Sequence, residues 1–353
     1  LKSVSIPSNV KSINFGAFRN CYALSDVTLP SGLTTIEGYV FYGCGALKSI
    51  TIPSTVTAIG EMSFGNCTAL TEIIIPDSVT SIGMGAFWSC TSLNNVIIGK
   101  GISSIEDFTF AGCFALTNII IPDNVKSICS YSFSACEKLE SITLSKNLTS
   151  LGDFVFEGCR VLKSVSIPNG VTALGENAFN NCYSLETVYI SDTVTSIHAT
   201  AFRECILKEI VVGENNTVYK SIDGNLYSKD GTVLIKYAVG NDAKELIIPE
   251  GVTTIGEYAL YGGQYLEKIT MPSSVKTISK YALYACSSLV SINIPNGATT
   301  IENNAFENCI LLKKIEIPGT VTSISENAFK YCASLADAII GEGVTSIGAN
   351  AFY

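Results

Sequence analysis

The sequence predicts a solenoid of stacked coils, mostly β with short helical turns. A motif of 23 residues recurs from one end of the 353-residue chain to the other. Each copy contains a short alternation of apolar and polar residues, usually closed by proline, and a cysteine follows at a fixed position. One copy is too small to bury its own apolar face, so we expect neighbouring copies to cover it.

The period is clearest at one position of the motif, here called the marker. It recurs in steps of 23 residues, and the steps resume after a single interruption. A fixed period of about 20 to 50 residues is typical of repeat architectures. The marker residues are Phe18, Phe41, Phe64, Phe87, Phe110, Phe133, Phe156, Phe179, Phe202, Leu260, Leu283, Phe306, Phe329 and Phe352.

The first element of each repeat is predicted to be a strand. In the copy that begins at Leu47, LKSITIPSTVTAIGEMSFGNCTA, Ile50 and Ile52 alternate with Thr51, which indicates a short strand with one buried face. Pro53 ends it because proline has no N–H to donate, and all ten prolines of the chain occupy this slot. We expect stacked coils to pair these strands in parallel, about 4.8 Å apart.

The second half of the repeat returns the chain to the next strand. Val56 and Ile59 point inward from a second extended piece. Gly60 permits a sharp bend because it lacks a Cβ. Residues 61–66 are predicted to form one helical turn that presents Phe64 to the interior.

The cysteines indicate a packing column. Twelve of the thirteen follow the marker by three residues, so stacked coils would place them in one row inside the core, where free cysteine acts as a small hydrophobe. Parallel side chains lack the crossed geometry of a disulfide, and a straight row is not a tetrahedral zinc site. Cys129 instead occupies the bend slot and is predicted near the surface, while Gly263 takes the cysteine slot of one repeat. The twelve are Cys21, Cys44, Cys67, Cys90, Cys113, Cys136, Cys159, Cys182, Cys205, Cys286, Cys309 and Cys332.

The repeat organisation predicts a single domain over residues 1–353, with about fifteen coils and one insertion. The insertion covers about residues 214–245, where Lys229–Thr232 is predicted to form a hairpin turn. Neither end has the polar cap that a solenoid needs. We therefore expect a fragment of a longer protein, truncated at both ends, with any signal peptide or anchor outside it.

These repeats resemble a known family. Residues 162–184, LKSVSIPNGVTALGENAFNNCYS, follow the pattern L-x-x-I-x-I-P-x-x-V-T-x-I-G-x-x-A-F-x-x-C of the 23-residue, Treponema-type leucine-rich repeats of bacterial surface protein A-like proteins. The resemblance covers essentially the whole chain, and residues 223–227 resemble an insertion common in that family. It implies a leucine-rich-repeat solenoid, a right-handed curved array of parallel single-strand coils. It also implies display on a bacterial cell surface and a role in adhesion, with no catalytic residues to carry over.

Composition narrows the partners. The formal net charge is −9 and only 15% of residues are charged, which disfavours nucleic acid and anionic membranes as partners. No apolar run reaches the length of about 18 residues that a membrane span needs. Phosphate-binding and calcium-binding motifs are absent, so we expect no cofactor and no metal. The single histidine, His198, lies at a bend without a partner that would make it catalytic, so an enzyme is disfavoured.

Candidate binding residues lie on the outward face of the first strands. In seven of fourteen repeats the residue between the two buried ones is serine, threonine or asparagine, but Ile74, Ile97 and Ile120 are apolar in three successive repeats. Exposed contiguous apolar patches often mark interaction sites. Tyr189 and Val211 occupy the same row further along. These five residues are the predicted concave binding patch, although a β-branched ladder that stabilises the sheet is an alternative explanation for the isoleucines.

A second candidate is the set of aromatic residues one position after the marker, which could contact a partner or pack on the adjacent loop. Its members are Tyr42, Trp88, Tyr261 and Tyr284.

Two functions are consistent with these patterns. The first is a non-catalytic, extracellular module that binds a protein or another macromolecule and mediates adhesion, using the concave sheet or the insertion hairpin. The second is a structural spacer or self-assembling array, in which coil ends stack head to tail. For the fragment itself we expect a monomer.

Overall fold

The computed structural model describes residues 1–353 and shows a parallel β-solenoid of about 15 stacked coils. It contains strands and turns only, and no helix with the length and hydropathy of a membrane span is present. The chain divides into two compact units. Unit 1 comprises Leu1–Leu185 and Thr193–Cys205, and unit 2 comprises Glu186–Asp192 and Ile206–Tyr353. The single domain over 1–353 stays a prediction.

Each coil of unit 1 contributes up to two short strands, a first strand before the proline slot and a second strand before the marker. The first strands are Ser3–Ser5, Asp26–Thr28, Glu72–Ile75, Asn95–Ile98, Asn118–Ile120, Ser141–Thr143 and Ser164–Ser166. The second strands are Thr35–Ile36, Ala58–Ile59, Ser81–Ile82, Ser104–Ile105, Ser127–Ile128, Ser150–Leu151, Ala173–Leu174 and Ser196–Ile197.

Parallel pairing joins residues that lie one repeat apart. Ile73 pairs with Val96, and Ile59 pairs with Ile82. Because the register equals the 23-residue period, equivalent side chains of successive coils form straight columns. The predicted solenoid of parallel strands is thereby confirmed.

The copy that begins at Leu47 shows the predicted pattern of burial. Ile50, Ile52 and Val56 are buried, while Thr51 is exposed. Ile50–Ile52 nevertheless does not form a strand in this coil. The alternation of side chains therefore follows from the extended backbone and does not need a complete hydrogen-bonded ladder.

The turn before the marker is not helical, so the predicted helical turn over residues 61–66 is wrong. Met62 and Asn66 have positive φ values of 51° and 58°, and no α-helix can contain such residues. The N–H of Phe64 donates to Ala86 O of the next coil (2.8 Å), whereas the N–H of Gly65 donates to Met62 O in the same coil (3.0 Å). Successive N–H groups thus alternate between partners in the same coil and in the next coil.

The glycines of the bend slot serve a different purpose from the one predicted. Gly60 and Gly83 do not have a positive φ. A Cβ on Gly60 would lie 2.4 Å from the backbone nitrogen of Gly38, and a Cβ on Gly83 would lie 2.4 Å from that of Glu61. At these two positions glycine is favoured because the preceding coil approaches closely, and not because the bend needs a positive φ; Cys129 and His198 fill the same slot elsewhere.

The marker column is the centre of the core. In unit 1 the rings of successive marker phenylalanines, from Phe18 to Phe202, stack with centroids 5.4–5.8 Å apart. The rings from Phe41 to Phe179 have no accessible surface. Offset stacking contributes about 0.5–1.5 kcal/mol per pair beyond the burial of apolar area, so the column links each coil to the next.

The cysteine column lies beside the markers, as predicted, and its thiols also form hydrogen bonds. The Sγ of Cys90 donates to the carbonyl oxygen of Phe64 at 3.1 Å, and the same oxygen accepts the backbone N–H of Cys67 at 3.1 Å. The contact recurs between Cys113 and Phe87 at 3.4 Å. A thiol suits this slot because it is small and apolar yet donates weakly to the second lone pair of a buried carbonyl.

Unit 2 repeats this architecture around the insertion. Its first strands are Thr187–Ile190, Glu209–Val212, Glu245–Ile247, Lys268–Thr270, Ser291–Ile292, Lys314–Ile317 and Asp337–Ile340. Its second strands are Thr254–Ile255, Thr277–Ile278, Thr300–Ile301, Ser323–Ile324 and Ser346–Ile347. The insertion contributes Tyr219–Ile222, Asn225–Ser228 and Val233–Lys236.

The insertion is a three-stranded meander and not only the predicted hairpin. Its three strands pair antiparallel in order, with Asp223 and Gly224 in the first turn at positive φ. The last strand then pairs in parallel with Thr254–Ile255, which returns the chain to the column of second strands. Tyr237, 23 residues before Leu260, takes the marker slot of this coil and is buried.

We predict that Phe110→Ala destabilises the protein by about 3–5 kcal/mol, because it leaves a cavity between two stacked rings. Phe110→Leu should destabilise the protein less, since Leu260 and Leu283 fill the same slot in unit 2. Guanidinium unfolding followed by circular dichroism measures both changes. An alanine variant as stable as the parent chain would contradict a structural role for the ring column.

Stability should also fall in alkali because burial raises the pKa of the Cys90 and Cys136 thiols from 9.0 to about 12. Below pH 9 both folded and unfolded thiols are protonated, and the stabilising contribution is complete. Between pH 9 and 12 the unfolded chain loses protons that the folded chain retains, so unfolding becomes easier by about 1.4 kcal/mol per pH unit for each such thiol. Urea unfolding at several pH values measures how steeply the free energy of unfolding falls with pH. Cys90→Ala should reduce this slope by the contribution of one thiol. An unchanged slope in that variant would contradict the assignment.

Candidate functional site

The first strands of unit 1 expose three isoleucines in successive coils, here called the isoleucine stripe: Ile74, Ile97 and Ile120. Their exposed fractions are 56%, 50% and 69%. The strand alternation places them outward, because the residues on either side of each point into the core. The structure therefore brings together the three isoleucines that the sequence predicted to form an apolar patch.

The register aligns the stripe across the coils. Ile74 pairs directly with Ile97, and Ile120 pairs with Thr143 of the following coil. At the opposite end the same row continues with Thr51, which is exposed. Thr51 and Thr143 therefore flank the isoleucine stripe, so the apolar segment ends at a hydroxylated residue on each side.

Two surface depressions lie at the ends of the stripe. One, of about 230 Å³, is lined by Ile74 with Ser49, Thr51 and Glu72 among its neighbours. The other, of about 440 Å³, is lined by Ile120 together with Thr143, Pro122 and Lys100 among others. Ile74 and Ile120 thus each line a depression, and Ile97 lies between them. Protruding side chains of a partner could enter the two depressions.

Charged residues of both signs lie along one border of the stripe. The backbone N–H of Lys100 donates to Asp77 Oδ1 at 2.8 Å, and Lys146 Nζ lies 2.6 Å from Asp123 Oδ2. The hydrogen bond from the Lys146 side chain holds the pKa of Asp123 below its ordinary value. One of these lysines, Lys146, is ion-paired with the carboxylate of Asp123.

The two other predicted site residues lie in unit 2. Tyr189 pairs with Val211, and the tyrosine side chain is 47% exposed while the valine is half-buried. They belong to a different compact unit from the isoleucine stripe. A single patch of five residues therefore stays a prediction.

Sequence reasoning missed one member of the same row. Ile247 is 73% exposed, more than any isoleucine of the stripe. Its strand, Glu245–Ile247, comes directly after the insertion, where the register of the markers is interrupted. Counting backward from the marker Leu260 would have placed it in the row.

The aromatic residues one position after the marker pack against neighbouring coils. The Tyr42 hydroxyl accepts a hydrogen bond from Asn66 Nδ2 at 2.9 Å. Tyr261 is buried, and its ring stacks on that of Tyr284 with centroids 5.0 Å apart. These contacts match the second of the two predicted roles, which is packing on an adjacent part of the chain.

The remaining polar candidates occupy turns. His198 is exposed, and its Nδ1 lies 2.8 Å from the hydroxyl of Thr200. Asp230 accepts hydrogen bonds from Ser228 and Thr232 within one tight turn, and these bonds lower the pKa of its carboxyl to about 2. No group of three or more histidines, cysteines and carboxylates is arranged to hold a metal ion.

Comparisons with known proteins agree with this geometry. The family model described as BspA type leucine rich repeat region matches in six copies, over residues 1–116, 103–229 and 238–353. A search of curated proteins found no significant match.

Several solved structures are similar to the chain. A leucine-rich cell surface protein from Faecalibacterium prausnitzii is 28% identical with a TM-score of 0.64, and the match covers 96% of this chain and 88% of that one. A leucine-rich repeat protein from Bacteroides ovatus is 27% identical with a TM-score of 0.59, covering 100% and 76%. The pneumococcal vaccine antigen PcpA, 22% identical with a TM-score of 0.62 over 99% and 75%, shares the fold.

Proposed function

Because the chain belongs to the BspA-type leucine-rich repeat family, we propose that it is a non-catalytic module displayed on a bacterial surface, which binds a macromolecule through the isoleucine stripe. The observation that carries the proposal is the exposure of Ile74, Ile97 and Ile120 in three successive coils. Exposed contiguous apolar surfaces often mark interaction sites.

A strand can form in this row without isoleucine. The same row holds Thr143 and Ser166 in the strands Ser141–Thr143 and Ser164–Ser166. Threonine keeps the β-branched shape that a strand favours without exposing a second apolar branch. The isoleucines therefore provide apolar contact area that the strands themselves do not require.

The expected energy is that of a small anchor within a larger interface. Fully burying an isoleucine side chain contributes about 1.5–3 kcal/mol, and these side chains are already half-buried, so each would add roughly 1 kcal/mol. Three together would supply roughly 3 kcal/mol, about a hundredfold in affinity. The polar rim around the two depressions supplies the remaining contacts, as in a typical interface with a central apolar anchor.

The location outside the cell is supported by the relatives. One similar structure is named as a cell surface protein and another as a vaccine antigen. Adhesion to a host protein or to another cell is the form of binding that we propose for this chain.

We predict that Ile97→Lys weakens capture by about tenfold or more, because it removes the central apolar contact and leaves a charge to be desolvated in the interface. The stability of the fold should stay within about 0.5 kcal/mol, since Ile97 is half-exposed. Binding to a panel of purified extracellular-matrix proteins, measured by surface plasmon resonance, gives the affinity. Unfolding in guanidinium gives the stability.

Ser166→Lys is the matched control, because Ser166 occupies the same exposed row two coils beyond the stripe. It introduces the same charge and should leave capture unchanged. Equal loss in both variants would contradict the stripe as the site. Light scattering of the parent chain tests the alternative of self-assembly, which an Ile97-dependent oligomer would favour over capture of a foreign protein.

A further inference from the structure

A second surface of unit 1 is formed by the column two residues before the marker. Phe108, Tyr131 and Phe154 stack there with centroids 4.7 and 4.6 Å apart and planes within 7° of parallel. All three side chains are half-buried, so part of each ring reaches solvent. None of them belongs to the isoleucine stripe.

The backbone does not favour aromatic residues in this column. Phe108, Tyr131 and Phe154 have φ values of 58°, 59° and 57°. In this left-handed region a large side chain strains the backbone. Some other coils fill the slot with Gly85 or Asn177, residue types that adopt positive φ readily, and others with Tyr39, Tyr258 or Tyr281. The three stacked rings are therefore present despite the local backbone preference.

Carboxylates surround the end of this stack. Asp153 lies next to Phe154 in sequence, Glu157 follows it within the same coil, and Glu176 lies in the next coil, where its backbone N–H donates to Asp153 Oδ1 at 2.8 Å. The backbone N–H of Tyr131 donates to Asp153 O at 3.0 Å, and that of Phe154 donates to Glu176 O at 2.8 Å, so both acidic residues lie one coil from a ring of the stack. Burial raises the pKa of Tyr131, and the charges of Glu157, Glu176 and Asp153 raise it further.

Asp153, Glu157 and Glu176 form no direct ion pair with a lysine or arginine. The six ion pairs of the structure do not include Asp153, Glu157 or Glu176. Arg160, which follows Glu157 by three residues, pairs with Glu137 at 3.4 Å instead. The stack therefore lies beside a local excess of negative charge.

Two amides next to the carboxylates have unused acceptor oxygens. Asn177 Nδ2 donates to Glu176 Oε1, and Asn180 Nδ2 donates to Glu157 Oε1, both at 3.2 Å. The Oδ1 atoms of both asparagines are buried and accept no hydrogen bond, and Asn180 is only 9% exposed. A buried acceptor without a donor is costly, and this cost lies directly beside the carboxylates of Glu157 and Glu176.

We propose that this acidic aromatic face, formed by Phe108, Tyr131, Phe154, Asp153, Glu157 and Glu176, binds a lysine- and arginine-rich segment of a partner protein. Long basic side chains have an apolar stem and a cationic head. The stems can lie along the ring edges while the heads reach the carboxylates. Arginine fits best because its guanidinium offers five donors in a planar fork.

The test uses a short fluorescein-labelled peptide of alternating arginine and glycine, titrated with the full chain at physiological salt and followed by fluorescence polarisation. The triple variant Asp153→Asn/Glu157→Gln/Glu176→Gln should bind it about tenfold more weakly or worse, because the charge-assisted hydrogen bonds are lost. The control Asp26→Asn/Glu72→Gln/Glu140→Gln removes the same charge from the first-strand side and should change binding less than about twofold. Equal loss in both triple variants would overturn the proposal, because bulk acidity would then explain the binding.

The rings are tested separately by Tyr131→Asn and Phe154→Asn. Asparagine is the natural residue of this slot at Asn177, so both variants should keep the fold. Each should weaken peptide binding several-fold, and unchanged binding in both would overturn the role of the stack. Spermine is added as a competitor at the same concentration of positive charge as the peptide. If it displaces the peptide, the ligand is a small polyamine and the assignment to a protein segment is overturned. Ile97→Lys should not affect this assay, so failure here is distinguishable from failure of the isoleucine stripe.

Discussion

The fold depends on how a coil without helices satisfies its own backbone. Around the marker, successive N–H groups donate alternately to a carbonyl of the same coil and to a carbonyl of the next coil, as Gly65 and Phe64 illustrate. A buried backbone group without a partner is costly, so each coil needs its neighbour at a fixed distance and in a fixed register. The columns of phenylalanine rings and thiols follow from that register, because equivalent residues must then lie on top of one another.

The sequence was sufficient to predict the columns and insufficient to predict the turns. A 23-residue period fixes which residues align, so the positions of Phe64, Cys67 and the exposed Ile97 followed from counting. The turn conformation did not follow, because the left-handed residue is Met62 in one coil and Tyr131 in another, and neither residue type indicates positive φ. The reason for glycine in the bend slot was also hidden, since the close approach involves a coil that lies about one repeat away in sequence.

The two candidate surfaces were predictable to different degrees. The isoleucine stripe stood out because three apolar residues interrupt a hydroxylated row, which is a departure from a simple pattern. The acidic aromatic face has no such signature, because its column varies from coil to coil and its character arises only when Phe154, Glu157 and Glu176 are brought together. One surface offers apolar contact without charge and the other offers charge beside aromatic rings, so the two suit different partners.

The cysteine column has a consequence for how such a chain survives outside a reducing compartment. Its buried thiols point into the core and donate to the coil before them, as Cys90 does to Phe64, so an oxidant meets them only while the neighbouring coils are absent. Since a solenoid can fold from nearest-neighbour contacts alone, every coil that docks during folding covers the sulfur of its neighbour. Rapid sequential docking would therefore protect the column from mispairing without any disulfide, and the same chain held unfolded in air should crosslink at random.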